Sequence, residues 1–446
     1  MPFKFLTYLQ PTQYFRLFQT SGASVFPQVE ALPELVLEQL MYDESYESEH
    51  ARDYDLSWQA IQSGYIGPAA TYTYFEPVSL RDNYHFIRKQ FHPVWVFYVL
   101  ICRLCTFHNP FKEIQAWVAT AKTKRVAPVT GLPYDAWSHY KSQLLEQAPL
   151  VSVVIPTLNR YDYLKDVLQD FEKQDYPHFE VLVVDQSEPF QPDFYKDFDL
   201  SLRVIQQEEK ALWLARNTAI KEAQGDLIAL SEDDVRIPNN WISNHLRCLA
   251  SFKAQVSAGV FYPEGQEIPK ARSFFAVASQ FATGNAMLYK EVFYRVGLFD
   301  RQFEKQRMGD GEFGLRVYLE GMLSVSNPYA SCIDVKAGTG GLRELGSWDA
   351  FRPSNFFAPR PIPSVLYYYR TYYGDRAARW ALLRTIPTSL IPYQFKKNKG
   401  MLVLGLFLSI LLLPLVLYQV LKSWNMASKK IKEGALIEKL EVRREK

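Results

Sequence analysis

Glu232, Asp233 and Asp234 stand side by side in Ser231-Glu232-Asp233-Asp234-Val235-Arg236-Ile237-Pro238, directly after the apolar run Leu227-Ile228-Ala229-Leu230. Adjacent carboxylates repel and raise one another's pKa unless something positive lies between them. A hard divalent cation with oxygen ligands relieves that repulsion, and the same cation neutralises a diphosphate. The run reads equally as a solvated acidic turn that caps the following helix, with Pro238 near its first turn. Two more apolar runs end in polar residues: Val151 to Ile155 leads into Pro156-Thr157-Leu158-Asn159-Arg160, and Val181 to Val184 leads into Asp185-Gln186-Ser187.

The pattern around these groups predicts the elements that hold them. Val151, Val153, Val154 and Ile155 make the nearly continuous apolar run of a strand buried on both faces. Leu164, Val167, Leu168 and Phe171 then recur at helical spacing. Strands follow at 181–184 and 202–206, a helix at 211–223 and a strand at 227–230. Strand, helix, strand, strand, helix, strand is the order of an α/β sheet with crossovers, in which ligands bind beyond the carboxyl ends of the strands. All three polar ends fall at that edge.

Five blocks, in order, resemble the inverting GT-A glycosyltransferases of family 2: "VSVVIPTLNR", "VLVVDQS", "LARNTAIKEAQGDLIALSEDDVRIPNNW", "TGNAMLYKEVFYRVGLFD" and "GDGEFGLRVYLEG". They cover about 149 to 345. The resemblance implies an α/β fold, the GT-A nucleotide-diphospho-sugar transferase sandwich with a mostly parallel central sheet. It implies transfer of a sugar from a nucleotide-diphosphate donor to a hydroxyl acceptor.

Carried onto this sequence, the resemblance puts Pro156, Thr157 and Asn159 in the nucleotide pocket, Asp185 on the imide edge of the base and Arg216 on the diphosphate side. Strand-end capping for Asp185 and a solvated helix position for Arg216 are the alternatives. The acid run takes the place of the family's DxD element: Glu232 or Asp233 meets the ribose, and Asp234 holds Mn²⁺ or Mg²⁺. Asp310 matches the base that takes the acceptor proton, with Gly309 where the family commonly has glutamate; helix-start acids favoured by the dipole are the alternative. Glu312, Gly284 and Asn285 match the acceptor side. Asp300, in the "GLFD" turn at 297–300, is as readily structural as functional. Asp334 stands where a histidine frequently completes the metal shell, and aspartate also ligates a hard cation. Lys336, Gly340, Gly341 and Arg343 would form a loop over the diphosphate.

The remaining sequence bounds the setting. At 446 residues, 48% apolar and 22% charged, the chain is a folded protein of two or three units. A net charge of +2 implies no nucleic-acid partner, and four scattered cysteines imply no disulfide framework. Residues 401–421, "MLVLGLFLSILLLPLVLYQVL", carry no charge and as one helix reach about 31 Å, the depth of a bilayer core. A C-terminal transmembrane helix is therefore expected, with Pro414 leaving a kinked span or a re-entrant hairpin open. "VWVFYVLICRLCTF" at 94–107 is too short to span and fits a core helix or an interfacial segment.

The expected organisation is an unassigned N-terminal region at 1–148, the transferase domain at 149–345, an aromatic and basic juxtamembrane segment at 346–400, the span and a basic tail at 422–446. The whole reads as a metal-dependent glycosyltransferase at the cell membrane. Its catalytic domain would face the cytoplasm and act on a lipid-linked or nascent surface glycan during polysaccharide biosynthesis. A non-catalytic nucleotide-sugar-binding or scaffold protein on the same fold is the rival. A phosphohydrolase or nucleotidyltransferase would need an Asp-x-Asp-x-Thr or Gly-rich phosphate loop, and the sequence has neither.

Overall fold

The structure is a computed structural model that describes residues 1–126, 130–337, 351, 353, 355–391, 395 and 398–441. Gly340, Gly341 and Arg343 of the expected diphosphate loop lie outside the described residues. The chain divides into two compact units.

The first unit comprises Met1–Leu132, Asp349–Pro361 and Leu366–Asn425. Its N-terminal part is helical, with helices Glu49–Gln62, Leu80–Gln90, Pro93–Cys105 and Pro110–Ala119. Helix starts follow from capping side chains: Ser48 accepts from the Ala51 amide, and Asn109 accepts from Phe111 and Lys112 ahead of a proline at the first helical position. Aromatic rings fill the core, where Phe3 stacks on Phe86 at 3.8 Å between centroids. Buried charges there are paired: Lys89 meets Asp55 at 2.5 Å and Asp43 at 2.9 Å, and Arg103 meets Glu113 at 2.5 Å.

The expected single helix over 401–421 does not form. Helices Lys399–Leu411 and Leu413–Glu433 meet at a break, and their apolar parts are bent by 84°. Pro414 sits in the first turn of the second helix, where its missing N–H is harmless; inside a continuous helix it would clash with the carbonyl four residues back. Gly405 lets the first helix close against this unit, since a β-carbon there would meet the Pro387 carbonyl at 2.9 Å. No single helix among the described residues is long and apolar enough to cross a membrane, although the bent pair passes that test together.

The second unit comprises Pro133–Trp348, Ile362–Val365 and Met426–Lys446 and is built on a nine-stranded sheet. The strands are β1 (Val151–Thr157), β2 (Phe179–Asp185), β3 (Leu202–Gln206), β4 (Leu227–Ser231), β5 (Val235–Arg236), β6 (Val256–Pro263), β7 (Ala276–Val277), β8 (Asn285–Tyr289) and β9 (Ser324–Asp334). Their order is β3-β2-β1-β4-β8-β6-β9-β5, with β7 also on β9. The α/β expectation holds, and helices Tyr161–Phe171 and Leu212–Glu222 supply the crossovers.

The sheet is mixed rather than mostly parallel. β1/β2, β1/β4, β2/β3 and β6/β9 are parallel, whereas β4/β8, β6/β8, β5/β9 and β7/β9 are antiparallel. The cause is local: the connection from β6 to β8 has no helix of crossover length, so β8 returns against its neighbours. β1 and β4 are buried at every position, as their apolar runs require.

Candidate active site

Parallel pairing in register sets Thr157, the last residue of β1, opposite Asp185, the last of β2. The chain leaves β4 at Ser231 and enters Glu232-Asp233-Asp234 at the same edge. β5 follows at once and pairs with the end of β9, so that Val235 faces Asp334 and the Val335 amide donates to the Asp234 carbonyl at 3.1 Å. Acids about a hundred positions apart in sequence are thereby neighbours.

A residue with no assigned role joins this cluster. Asn159 turns the chain in the left-handed region (φ 54°), which Asn tolerates better than most side chains. Its amide donates to Ser187 Oγ at 2.7 Å and its Oδ1 accepts from the Glu188 amide at 2.9 Å, tying together the turns after β1 and β2. The turn delivers Arg160, whose Nη1 lies 3.0 Å from both Asp233 Oδ1 and Asp234 Oδ2. Thr157 Oγ1 donates to the other Asp233 oxygen at 2.8 Å. Burial pushes the Asp233 carboxyl up to about 6, with Arg160 opposing and Asp234 adding to the shift. Burial, then the charge of Asp234, pushes Asp334 up to about 6. Four of the expected residues, Thr157, Asp233, Asp234 and Asp334, therefore share one edge, and the charge of Asp234 disfavours ionisation of both Asp233 and Asp334.

Other expected site residues are engaged by the fold itself. Asp185 is fully buried and accepts from the hydroxyls of Tyr161 and Tyr195, each at 2.7 Å, and from the Ser187 amide at 2.8 Å. Arg216 is also fully buried; its guanidinium donates to the Thr283 carbonyl at 2.9 Å and reaches Glu232 at 3.4 Å. Asn285 uses its whole amide internally, accepting from Trp241 Nε1 and His245 Nε2 and donating to the carbonyls of Val260 and Ala330. Glu312 is buried and grips Arg316 at 2.7 and 3.0 Å. Arg316 in turn donates to the carbonyls of Val296 and Leu298. Pro156 is buried within β1.

Glu232 and Asp310 keep partial exposure. Gly284 is required beside Glu232, because a β-carbon there would lie 2.6 Å from Phe261 Cε2 and 3.0 Å from Glu232 Cδ. Asp310 is the second residue of helix Gly309–Leu319 and its Oδ1 accepts from the Gly311 amide at 2.8 Å. Asp300 is buried, and its Oδ1 accepts from the amides of Gln302 and Leu436, each at 2.9 Å, so the "GLFD" turn receives the C-terminal tail.

The donor set offers oxygen alone, and among the described residues no three His, Cys, Asp or Glu side chains are grouped to hold a metal ion. Asp334 is held beside Asp234 by the pairing of Val235 with Asp334, and the charge of Asp234 raises its pKa; two oxygen donors so placed suit a hard cation better than a soft one. A cleft of about 900 Å³ beside Asp43, His85 and Arg81 lies wholly in the first unit and shares no residue with this cluster.

Residues 152–302 match the family described as Glycosyl transferase family 2. That segment, about a third of the chain, contributes β1 to β8 of the mixed α/β sheet. Among curated relatives, "Glycosyltransferase GlyA" of Streptococcus pneumoniae serotype 4 is 24% identical over 162 residues, 35% of this chain and 22% of that protein. "Putative teichuronic acid biosynthesis glycosyltransferase TuaG" of Bacillus subtilis is 35% identical over 91 residues, 19% of this chain and 36% of that protein. The chain thus spans well under half the length of either relative. Two solved structures are similar at low identity. The mannosyltransferase PcManGT from Pyrobaculum calidifontis, in complex with GDP-Man and Mn²⁺, shares 18% identity over 66% of this chain and 91% of its own, with a TM-score of 0.40. S. aureus TarS 1-349, in complex with UDP-GlcNAc, shares 16% identity over 64% and 92%, with a TM-score of 0.42.

Proposed function

We propose that this protein is a metal-dependent inverting glycosyltransferase that moves a sugar from a nucleotide-diphosphate donor to a hydroxyl of a lipid-linked or nascent surface glycan. The observation that carries the reading is the gathering of Thr157, Asp233, Asp234 and Asp334 at one sheet edge within a chain that matches the family 2 profile. Asp234 and Asp334 would hold Mn²⁺ or Mg²⁺, which when bound supplies positive charge to the departing diphosphate. Glu232 or Asp233 would meet the ribose, with Pro156, Thr157, Asn159 and Asp185 around the base.

Asp310 takes the acceptor hydroxyl proton as that oxygen attacks the anomeric carbon from the face opposite the diphosphate. The carbon–oxygen bond to the diphosphate breaks with inversion, releasing nucleoside diphosphate. Gly284 allows the close approach on the acceptor side. Membrane attachment through the bent apolar pair, with Arg376, Arg379 and Arg384 before it and Lys422, Lys429 and Lys430 within its second helix, fits both ends staying on the cytoplasmic side.

The ion pairs of Arg160 with Asp233 and Asp234 favour one second reading, a domain that binds nucleotide sugar without transferring it. Thermal stabilisation across a panel of nucleotide sugars, with and without Mn²⁺, tests the donor; an unshifted melting temperature with every nucleotide diphosphate overturns both readings. Donor-dependent product formation separates them.

A further inference from the structure

In the first unit, helices Pro93–Cys105 and Pro110–Ala119 form a hairpin whose solvent-facing side is apolar. Val94, Phe97 and Ile101 recur along the exposed face of the first helix, and Phe111, Ile114 and Val118 along that of the second. Between them Phe107 is 97% exposed and holds φ at 58°, a conformation that side chains with a β-carbon seldom adopt. Phe111, on the same tip, is 83% exposed. A soluble monomer rarely shows a contiguous apolar face of this kind. The inward face is ordinary core: Val96, Val99, Leu100 and Ala116 are buried, and the Arg103–Glu113 ion pair joins the two helices.

The charges identify the occupant. From Phe91 to Val126 the sequence holds one acid, Glu113, which is buried and paired. Every exposed charged residue of this stretch is a cation: Lys112, Lys122, Lys124 and Arg125. An apolar face on a stretch whose exposed charges are all positive complements an anionic bilayer surface, where rings and aliphatic chains enter the acyl boundary and lysines stay at the headgroups. At ten to thirteen residues per helix the hairpin is too short to span.

We infer that the hairpin 93–119 is a second membrane-attachment surface, lying in the interface of an anionic leaflet and inserting Phe107 and Phe111. It goes beyond the transferase reading and stands independently of it, because it requires neither donor nor acceptor.

Cys105, exposed on the apolar face while Cys102, Cys248 and Cys332 are buried, gives a local probe in the full chain. Labelled there with an environment-sensitive fluorophore, the protein should show a blue shift with vesicles containing phosphatidylglycerol. Brominated acyl chains should quench it, and pure phosphatidylcholine should give a weak response. Phe107→Ser and Phe111→Ser change exposed positions and should each weaken the vesicle dependence of that signal about tenfold. Lys112→Glu with Lys122→Glu should remove the preference for anionic lipid. A label that stays in water while the chain sediments with vesicles overturns the inference and leaves attachment through 403–433 standing. A blue shift that rises with protein concentration, vesicles absent, assigns the face to self-association and overturns it as well.

Discussion

The indole of Trp213 occupies the space where a side chain on residue 309 would begin. A β-carbon on Gly309 would stand 2.4 Å from Trp213 Cζ2 and 3.0 Å from Phe303 Cβ. The ring is fixed by its Nε1 donating to the Phe303 carbonyl at 3.0 Å, and the Trp213 and Leu214 amides are held by the Glu304 carboxylate at 3.2 and 2.8 Å. Glutamate, which the family resemblance puts at this position, has no room beside that indole. Glycine before Asp310 therefore follows from packing on the helix that carries Arg216.

Gly309→Ala should cost about 1–3 kcal/mol by overpacking. In a Trp213→Ala background, where the space is vacated, the same change should cost far less. Urea denaturation of the two single variants and the double variant measures the coupling. Additive effects would remove the indole as the reason for the glycine.

Arg160 sits where a cation is needed. Its loss leaves Asp233 buried beside Asp234 with no guanidinium between them, and Arg160→Ala should destabilise the unit by about 2 kcal/mol. Because Mn²⁺ would meet the same charge, it should raise the melting temperature of the variant more than that of the wild-type protein. Equal shifts would show that guanidinium and metal do not compete.

His245 gives the second unit a defined acid sensitivity. Burial pushes its pKa down to about 3, against the opposing pull of hydrogen bonds with Asn285 and Ser257. An unfolded histidine titrates near about 6.5, so the folded value is depressed and the unfolded chain binds the proton first. The contribution is present in full above about 6.5 and lost as pH falls toward 3, at up to about 1.4 kcal/mol per pH unit. The urea midpoint should decline between pH 7.5 and 4.5, and His245→Gln should flatten that decline. An unchanged slope would assign the acid sensitivity to other groups.

What the sequence made legible follows sequence distance. β1, β2 and β4 were readable because strands buried on both faces need unbroken apolar runs, and the helix carrying Leu164, Val167, Leu168 and Phe171 because one face had to be apolar. β6, β8 and β9 were not, since their pairing rests on contacts between distant residues and includes a register shift between Gly259 and Phe261. Arg160 stood in the strand-end motif from the start, yet its partners lie 73 and 74 residues away. For Arg216, Asn285 and Glu312 the residue type was informative and the neighbours were not: each finds buried partners that only the tertiary fold supplies. The break at Leu412 depended on Pro414 beginning a helix instead of kinking one, and both outcomes obey the same local rule.

The two acids of helix Gly309–Leu319 separate by environment. Asp310 is partly exposed at the helix start, whereas Glu312 is buried against Arg316, which holds the carbonyls of Val296 and Leu298. Asp310→Asn should lower transfer by about 10²–10⁴-fold, the usual loss of a general base, with nearly unchanged donor binding. Glu312→Gln should chiefly lower the melting temperature, because it weakens a buried charge-assisted pair. Asp234→Asn, in contrast to both, should abolish the Mn²⁺ dependence of donor binding at little cost in stability. Initial rates, donor titration and thermal melts on the three variants tell these roles apart. Wild-type transfer by Asp310→Asn would take the base role away from this helix. A Glu312→Gln protein that melts normally but loses acceptor affinity would return that glutamate to the acceptor site.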